Sequence, residues 1–428
     1  MFALLAGLCL SAEVYIMAPL AILNADHSIP DYNKIDGWLD KLQAAKVDGV
    51  MLDVWWGLVE TSPKSYKWDG YNTLFQLLKN HNLKIVPVMS FHKCGGNVGD
   101  ACDIQLPSFV TSSSLQPFYT DESGNVNNEY ISLGFDDVVI DGSRTPIQMY
   151  KDFMTAFASN FKSYLDDGTI AEVEVGVGPC GELRYPSYPS HLWSYPGCGA
   201  FQAYDSGMTE MLQKDAAAAG VSSYAHHPYN TGGYNAQPNG ATFWTQGQAD
   251  SWDSAYGKWY QEWYSSKLIA HGGKIYEVAR QAFGSKVELS SKISGIHWWY
   301  MVPSHCAELT AGLRNYQDYD GYRDIFTEFK KYEIQVCFTC LEMTAKDSYC
   351  SSNPPYLVGQ VAGDAAWAGL KFEGENALEC YDSGSLGRVK AWTSQGLVRY
   401  THLRMGDSMM ADGNWNTFVS FVNDMHNA

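Results

Sequence analysis

Residues Val47–Trp56 read VDGVMLDVWW. This is a short, strand-like apolar run entered through a glycine, and it carries Asp53 near its end. Runs of the same kind recur along the chain, at Val14–Leu23, Leu83–Phe91, Ala171–Val177, Val287–Trp298, Glu333–Met343, Leu370–Ala377 and Leu397–Leu403. Helical or amphipathic stretches fall between them, among them Tyr32–Ala45, Tyr71–Asn80, Pro146–Leu165, Ser251–Ala282, Gly321–Lys331 and Leu386–Thr393. Strands that alternate with helices in this way predict an α/β protein, a single (β/α)8 barrel of the TIM type. A doubly wound open sheet gives a similar alternation, but no GxGxxG or Walker loop follows the early strands.

Two connections are long, residues 92–145 after the third strand and 179–250 after the fourth. Both are rich in Gly, Pro, Ser, Asn and Tyr, and both follow the C-terminal end of a strand, where a barrel builds its site. They are expected to cover that face as insertions. Residues 13–428 then form one domain, with no separate binding module expected after the closing helix. The segment Met1–Ala12, MFALLAGLCLSA, is apolar and ends in small residues, like a short signal peptide cleaved after Ser11 or Ala12, although the usual positive start is missing. This predicts secretion or a secretory-pathway compartment, with a cytoplasmic location as the alternative.

The chain of 428 residues has a formal net charge of −18 and 46% apolar residues, so it holds a large core and disfavours phosphate. Nucleic acid is excluded as a partner on that ground. No apolar run is long enough for a transmembrane helix. With 14 Trp, 28 Tyr and 18 Phe it carries aromatic planes that suit sugar rings or a large core equally well. Among the ten cysteines, Cys94 and Cys102 flank the glycine-rich GGNVGDA and are within reach of each other. Cys337 and Cys340 resemble a CxxC pair, but in a strand they face opposite sides and cannot easily pair. No Cys and His spacing fits zinc, and no metal or cofactor is expected.

Four segments have a composition that barrel packing does not require: DVWWGLVE at 53–60, SFHKCGGNVGDAC at 90–102, GPCGELRYPSYP at 178–189 and GENALECYD at 374–382. Each lies at or beyond the C-terminal end of a strand, so in a barrel all four meet at one mouth. Glu182 and Glu375 stand out within them. Cleavage of a glycosidic bond needs one carboxylic acid to protonate the leaving oxygen and a second carboxylate as nucleophile or base.

These segments resemble the β-amylase family, glycoside hydrolase family fourteen. Further matches are RTPIQMY at 144–150, SGIHWWY at 294–300, AELTAG at 307–312 and FTCLEM at 338–343, all in order. The resemblance implies an inverting, exo-acting hydrolase that releases β-maltose from the non-reducing ends of α-1,4-glucans. It makes Glu182 the general acid and Glu375 the general base. An inverting pair stands roughly 6.5–9.5 Å apart, against about 5–5.5 Å in a retaining enzyme. Acting as an acid near neutral pH would require the Glu182 pKa to be raised, by burial or by the Glu375 charge.

The resemblance also implies that Asp53 and His92 hold the terminal glucose, that Asp100 rides on a mobile lid, and that Lys292, His297, Thr339, Asn376, Ala377 and Arg404 contact sugar. Cys94–Cys102 matches the disulfide at the lid base of the bacterial branch. The bacterial calcium site does not carry over: TSPKSYKWDG after Glu60 and RTPIQMYK at 144–151 lack its acidic partners. Lys93 and Cys180 replace a usual glutamine and alanine. Of Trp55 and Trp56, and of Trp298 and Trp299, only one in each pair is expected to face the barrel interior. A retaining barrel glycosidase, a non-catalytic glucan-binding sensor and a secreted structural protein are the alternatives. The protein is expected to be a monomer.

Overall fold

The computed structural model describes residues 11–97, 99–346 and 348–428, so Met1–Leu10 of the expected signal segment lie outside the described residues. The strand predicted from VDGVMLDVWW is Gly49–Trp55, buried along its whole length. It is β2 of a closed barrel. The others are β1 Glu13–Met17, β3 Lys84–Ser90, β4 Glu172–Val175, β5 Glu288–Ile293, β6 Ile334–Phe338, β7 Phe372–Glu375 and β8 Leu397–His402. All neighbours pair in parallel, in chain order, and β8 closes the ring on β1. Parallel strands are covered on both faces, which is why several read as nearly continuous apolar runs, while β4, β5 and β7 alternate apolar with polar or charged residues.

The eight helices around the barrel are α1 Tyr32–Ala44, α2 Asp69–Asn80, α3 Pro146–Asn160, α4 Ala255–Phe283, α5 Gly321–Lys331, α6 Pro354–Ala368, α7 Ser383–Ala391 and α8 Asp412–His426. Helix α3 starts at a reciprocal cap, in which Thr145 accepts from the Gln148 amide and the Gln148 side chain accepts from Thr145. The helix predicted over 146–165 breaks at Phe161, and a short second helix, Lys162–Asp166, follows. Ser254, not Ser251, caps α4 by accepting from Gly257. The main core lies between strands and helices, while Tyr15, Met17, Met51, Val86 and Val88 fill part of the barrel interior.

The rest of the interior is charged. Arg399 meets Glu13, Glu172 and Glu373, and Lys292 meets Glu174 and Glu375. The long connections after β3 and β4 carry a two-stranded ribbon, Phe118–Thr120 with Val126–Ile131, and a helix, Ser206–Ala218. Cys198 and Cys306 form a second disulfide across 108 residues, tying the loop after β4 to the loop after β5. Among the described residues no helix is long and apolar enough to cross a membrane.

Candidate active site

Glu182 owes its position to a glycine turn. Cys180 and Gly181 both adopt positive φ, 53° and 77°, and a Cβ on Gly178 would stand 2.3 Å from the Glu182 carbonyl oxygen. The turn closes through Gly181 N–H to Gly178 O and Glu182 N–H to Pro179 O, and the Leu183 amide then docks on the carbonyl of Lys292. Parallel backbone pairing of Glu182 with Lys292 sets the segment past β4 against the last residues of β5. The Glu182 side chain accepts from Arg184 Nε at 2.6 Å. Arg184 is itself buried, with Tyr188 stacked 4.3 Å from its guanidinium carbon.

Glu375 ends β7 and is 1% exposed. Lys292 Nζ lies 2.9 Å from its Oε1 and 3.5 Å from Glu174 Oε1. Lys292 therefore joins the two carboxylates chosen from the sequence: its backbone holds the Glu182 loop and its ammonium touches Glu375. Burial works to lower the Lys292 ammonium, but Glu174 and Glu375 overcome it and hold it well above the ordinary lysine range. Burial pushes Glu174 up to about 7, Lys292 opposes the shift and the Glu375 charge adds to it.

Asp53, on β2, accepts from Ser90 Oγ at 2.7 Å. Burial raises its carboxyl above the usual range, against the Ser90 bond and the Arg404 and Lys292 charges. His92, just past β3, packs edge-on against Trp55 at 5.1 Å. Burial drives its imidazole down to about 3, helped by the Lys292 and Arg184 cations, so the ring is neutral near pH 7. Arg404 follows β8 and donates to the Ala18 carbonyl, and its charge reaches Asp53. Thr339 Oγ1, past β6, accepts from Gly295 N–H at 2.8 Å.

Asp100 turns into its own loop. Its Oδ2 accepts from Gly95 and Asn97 amides at 2.9 and 3.0 Å, while Gly95, Gly96 and Gly99 supply the positive φ values. Cys94 and Cys102 are bonded at the base of that loop, with Cα atoms 5.7 Å apart. Ser190 donates from both amide and hydroxyl to Gly96 O, joining the loop to the one that carries Glu182.

The remaining candidate residues all have partners within the protein. The Asn376 side chain accepts from Tyr400 and the Leu403 amide and donates to the Leu378 and Leu403 carbonyls, which leaves its backbone as the part free to meet a sugar. The Ala377 amide is bound by Glu342, which also takes the Leu378 amide. His297 sits farther out: its Nδ1 faces Ser352 Oγ at 2.7 Å and its ring packs near Tyr195 and Trp298. Trp298 and Trp299 lie beyond the end of β5, where strand alternation no longer applies, and both donate to neighbouring carbonyls, Gly197 and Pro196. Trp55 and Trp56 do diverge, toward His92 and the cluster Cys94–Ile104 in one case and Phe91, Phe109 and Tyr150 in the other.

Sequence reasoning passed over Arg184, Glu342, Glu174 and Glu129, of which the first two stand inside quoted motifs. It also left the Cys198–Cys306 pairing open. Cys337 and Cys340 are both free, although Cys340 lies past the end of β6, where strand alternation no longer applies. Lys93 points to Asn128 Oδ1 at 2.9 Å, and burial holds the Cys180 thiol well above its ordinary pKa. Where acidic groups crowd, protein cations sit among them. Arg144 binds Glu60, Asp141 and Asp152, Lys292 serves Glu174–Cys337–Glu375, and Arg399 contacts two members of Glu172–Glu288–Glu373. Surface clefts of about 640 and 380 Å³ lie elsewhere, the first beside Asp121, Phe201 and Tyr234 and the second beside Lys93, Glu129 and His191. Neither is lined by Glu182 or Glu375, both of which are buried and whose chemistry marks the site better than cleft size does.

The sequence profile of glycosyl hydrolase family 14 matches residues 15–428. The chain belongs to glycosyl hydrolase family 14. This family 14 chain is 42% identical to Beta-amylase Tri a 17 of Triticum aestivum, over 97% of its own length and 86% of that protein. It is 39% identical to Beta-amylase 2, chloroplastic, of Arabidopsis thaliana, over 96% and 79% of the two chains. Its fold matches the crystal structure of the catalytic domain of a β-amylase from Paenibacillus polymyxa, with a TM-score of 0.80 and 32% identity, covering 96% and 98%. A β-galactosidase from Marinomonas ef1 shares the barrel at 9% identity and a TM-score of 0.53, which is a likeness of fold alone.

Proposed function

We propose that this family 14 chain is a β-amylase that hydrolyses α-1,4-glucans from their non-reducing ends and releases β-maltose with inversion. Glu182 protonates the leaving oxygen, and Glu375 takes a proton from the attacking water. The observation that carries the reading is Lys292, which joins the Glu182 loop to Glu375 from a single strand end. An ionised Glu375 beside an ammonium suits a base. Asp53 and the neutral His92 offer an acceptor and a switchable donor or acceptor for sugar hydroxyls. Donation by Glu182 requires its contact with Arg184 to loosen, because that carboxyl accepts from Arg184 in this state.

The test is the anomeric form of the first product, followed by proton NMR during early hydrolysis of soluble starch. β-Maltose is expected; α-maltose or glucose would overturn the reading. Glu182→Gln should bind maltose with nearly full affinity and turn over at least about a hundredfold more slowly. Unchanged turnover would remove Glu182 from the role. The enzyme acts as a monomer in this reading, which light scattering of the purified protein tests.

The leading segment directs export, with cleavage after Ser11. Ala12 is buried and its amide donates to Met425 O, so cutting one residue later would remove part of the barrel floor. N-terminal sequencing of the mature protein that begins at Met1 would refute this.

A further inference from the structure

A general acid must hold a proton, yet the group that the Glu182 carboxyl contacts is the guanidinium of buried Arg184. When Glu182 is protonated, Arg184 loses the partner at 2.6 Å, and a buried unpaired guanidinium is costly. A second carboxylate stands behind it. Glu129, on the ribbon strand Val126–Ile131, is 2% exposed. Its Oε1 accepts from Asn97 Nδ2 and from the Cys180 amide, the latter at 3.0 Å, and Asn97 Oδ1 accepts from Arg184 Nη2 at 3.3 Å. Asn97 thus lies between the two side chains and bonds to both.

We propose that Glu129 is a positioning residue that supplies the counter-charge for Arg184 while Glu182 carries the catalytic proton. One carboxylate meets the guanidinium directly and the other faces it across Asn97, so protonation of Glu182 need not leave the arginine without a counter-charge. Burial pushes Glu129 up to about 7, against the Arg184 charge and the Asn97 bond, and the Asp100 charge adds to the rise. Glu129 can therefore exchange a proton near neutral pH, which suits a counter-charge that must respond to its surroundings. The other groups facing this set do not supply the charge. Tyr188 and Cys180 stay neutral because burial raises both, His92 is neutral, and Lys292 is committed to Glu174 and Glu375. Glu129 also fixes geometry, since its two bonds tie the lid at Asn97 to the turn that aims Glu182.

This inference rests on Glu182 as the acid, and the experiment separates the two. The pH profile of kcat/KM on maltopentaose is measured for the parent, Glu129→Gln, Asn97→Asp and Glu182→Gln. Glutamine keeps an acceptor oxygen in place but removes the charge, so Arg184 then holds Glu182 ionised. The alkaline limb of Glu129→Gln should move down by about one pH unit. Asn97→Asp adds a negative charge beside Arg184, and its limb should move up. A structural role alone would lower the rate without moving either limb. Should Glu129→Gln fail to fold, a limb of Asn97→Asp that stays in place overturns the proposal. A folded Glu129→Gln with an unmoved limb overturns it as well, provided that Glu182→Gln is inactive. An active Glu182→Gln instead removes the assignment of the acid, and the present proposal with it.

Discussion

Replacing Lys292 with methionine tests whether the proposed base depends on a buried cation. Methionine matches the length and apolar stem of lysine and leaves two buried carboxylates, Glu174 and Glu375, facing one another. At an effective dielectric near 20, unit charges separated by 2.9 and 3.5 Å attract by about 6 and about 5 kcal/mol. Dehydrating the ammonium offsets several kcal/mol of this, and removing one partner of a buried pair costs about 3–5 kcal/mol net. The fold can escape most of that cost by keeping a proton on the carboxyl pair, as close carboxylates do. The sign follows from Glu174, which Lys292 lowers and Glu375 raises. Without Lys292 the pair binds its proton up to higher pH.

A base must be ionised, so the acidic limb of the rate profile should move upward. At the parent's optimum, kcat should fall by about 10²–10⁴-fold, the range that general-base catalysis supplies. The assay is the initial rate of maltose release from soluble starch between about pH 4 and about pH 8, beside thermal melting of the same samples. A Lys292→Met protein that melts like the parent, keeps kcat within about threefold and leaves the acidic limb in place would refute the reasoning.

The Cys198–Cys306 crosslink closes 108 residues, for which chain entropy allows about 4–5 kcal/mol. A Cys198→Ser/Cys306→Ser double variant should therefore unfold at clearly lower urea, and an unchanged midpoint would count against a stabilising role. Asn376→Ala strands the Leu403 amide near Glu375, at about 1–3 kcal/mol, while the Tyr400 hydroxyl keeps His402 Nδ1 as a partner. Melting temperature and kcat should fall together with little change in KM, and an intact kcat would mean that the amide does not hold the β7 end. Burial lowers His402 from 6.5 to about 4, so the unfolded chain takes up a proton that the fold refuses. That stability is whole above about pH 6.5 and is lost as pH falls toward 4, by up to about 3 kcal/mol. His402→Phe should flatten the fall in urea midpoint across that window, and the parental slope would refute it.

The barrel was legible because its physics is periodic and local. A parallel strand covered on both faces is largely apolar where it packs under helices, and seven of the eight runs contain the strand found, while β1 starts one residue before its run, at Glu13. The runs overshoot where apolar residues continue into buried loops. Val14–Leu23 ends as a strand at Met17, although Ala18, Ile22 and Leu23 remain buried, and Val287–Trp298 ends at Ile293. Burial and strand pairing are different properties, and hydropathy reports only the first. The same overshoot misled the reading of Trp298 and Trp299. Glu182 and Glu375 were legible through motif order, with sequence spacing giving no hint of their contact through Lys292. The reach of Arg184 back to Glu182, the use of the whole Asn376 amide inside the protein and the pairing of Cys198 with Cys306 all depend on distances between remote segments.

The charged interior explains why those remote contacts matter most. An ordinary barrel fills its centre with branched apolar layers. Here the floor sets Arg399 against Glu172 and Glu373, and the level above sets Lys292 against Glu174 and Glu375. In both sets carboxylates outnumber the cation they meet, with Glu13 as a third partner of Arg399, while Arg184 meets Glu182 directly and Glu129 through Asn97. Such a set carries surplus negative charge when fully ionised, so it binds a proton readily. Burial accordingly lifts Glu129 and Glu174 to about 7. At the floor the Glu373 carboxyl is raised as well, by burial first and then by Glu172. In the proposed reaction the same sharing at the mouth gives one carboxyl a proton to donate and leaves another ionised to accept one, so the reaction and the fold draw on one pairing rule at different levels along the barrel axis.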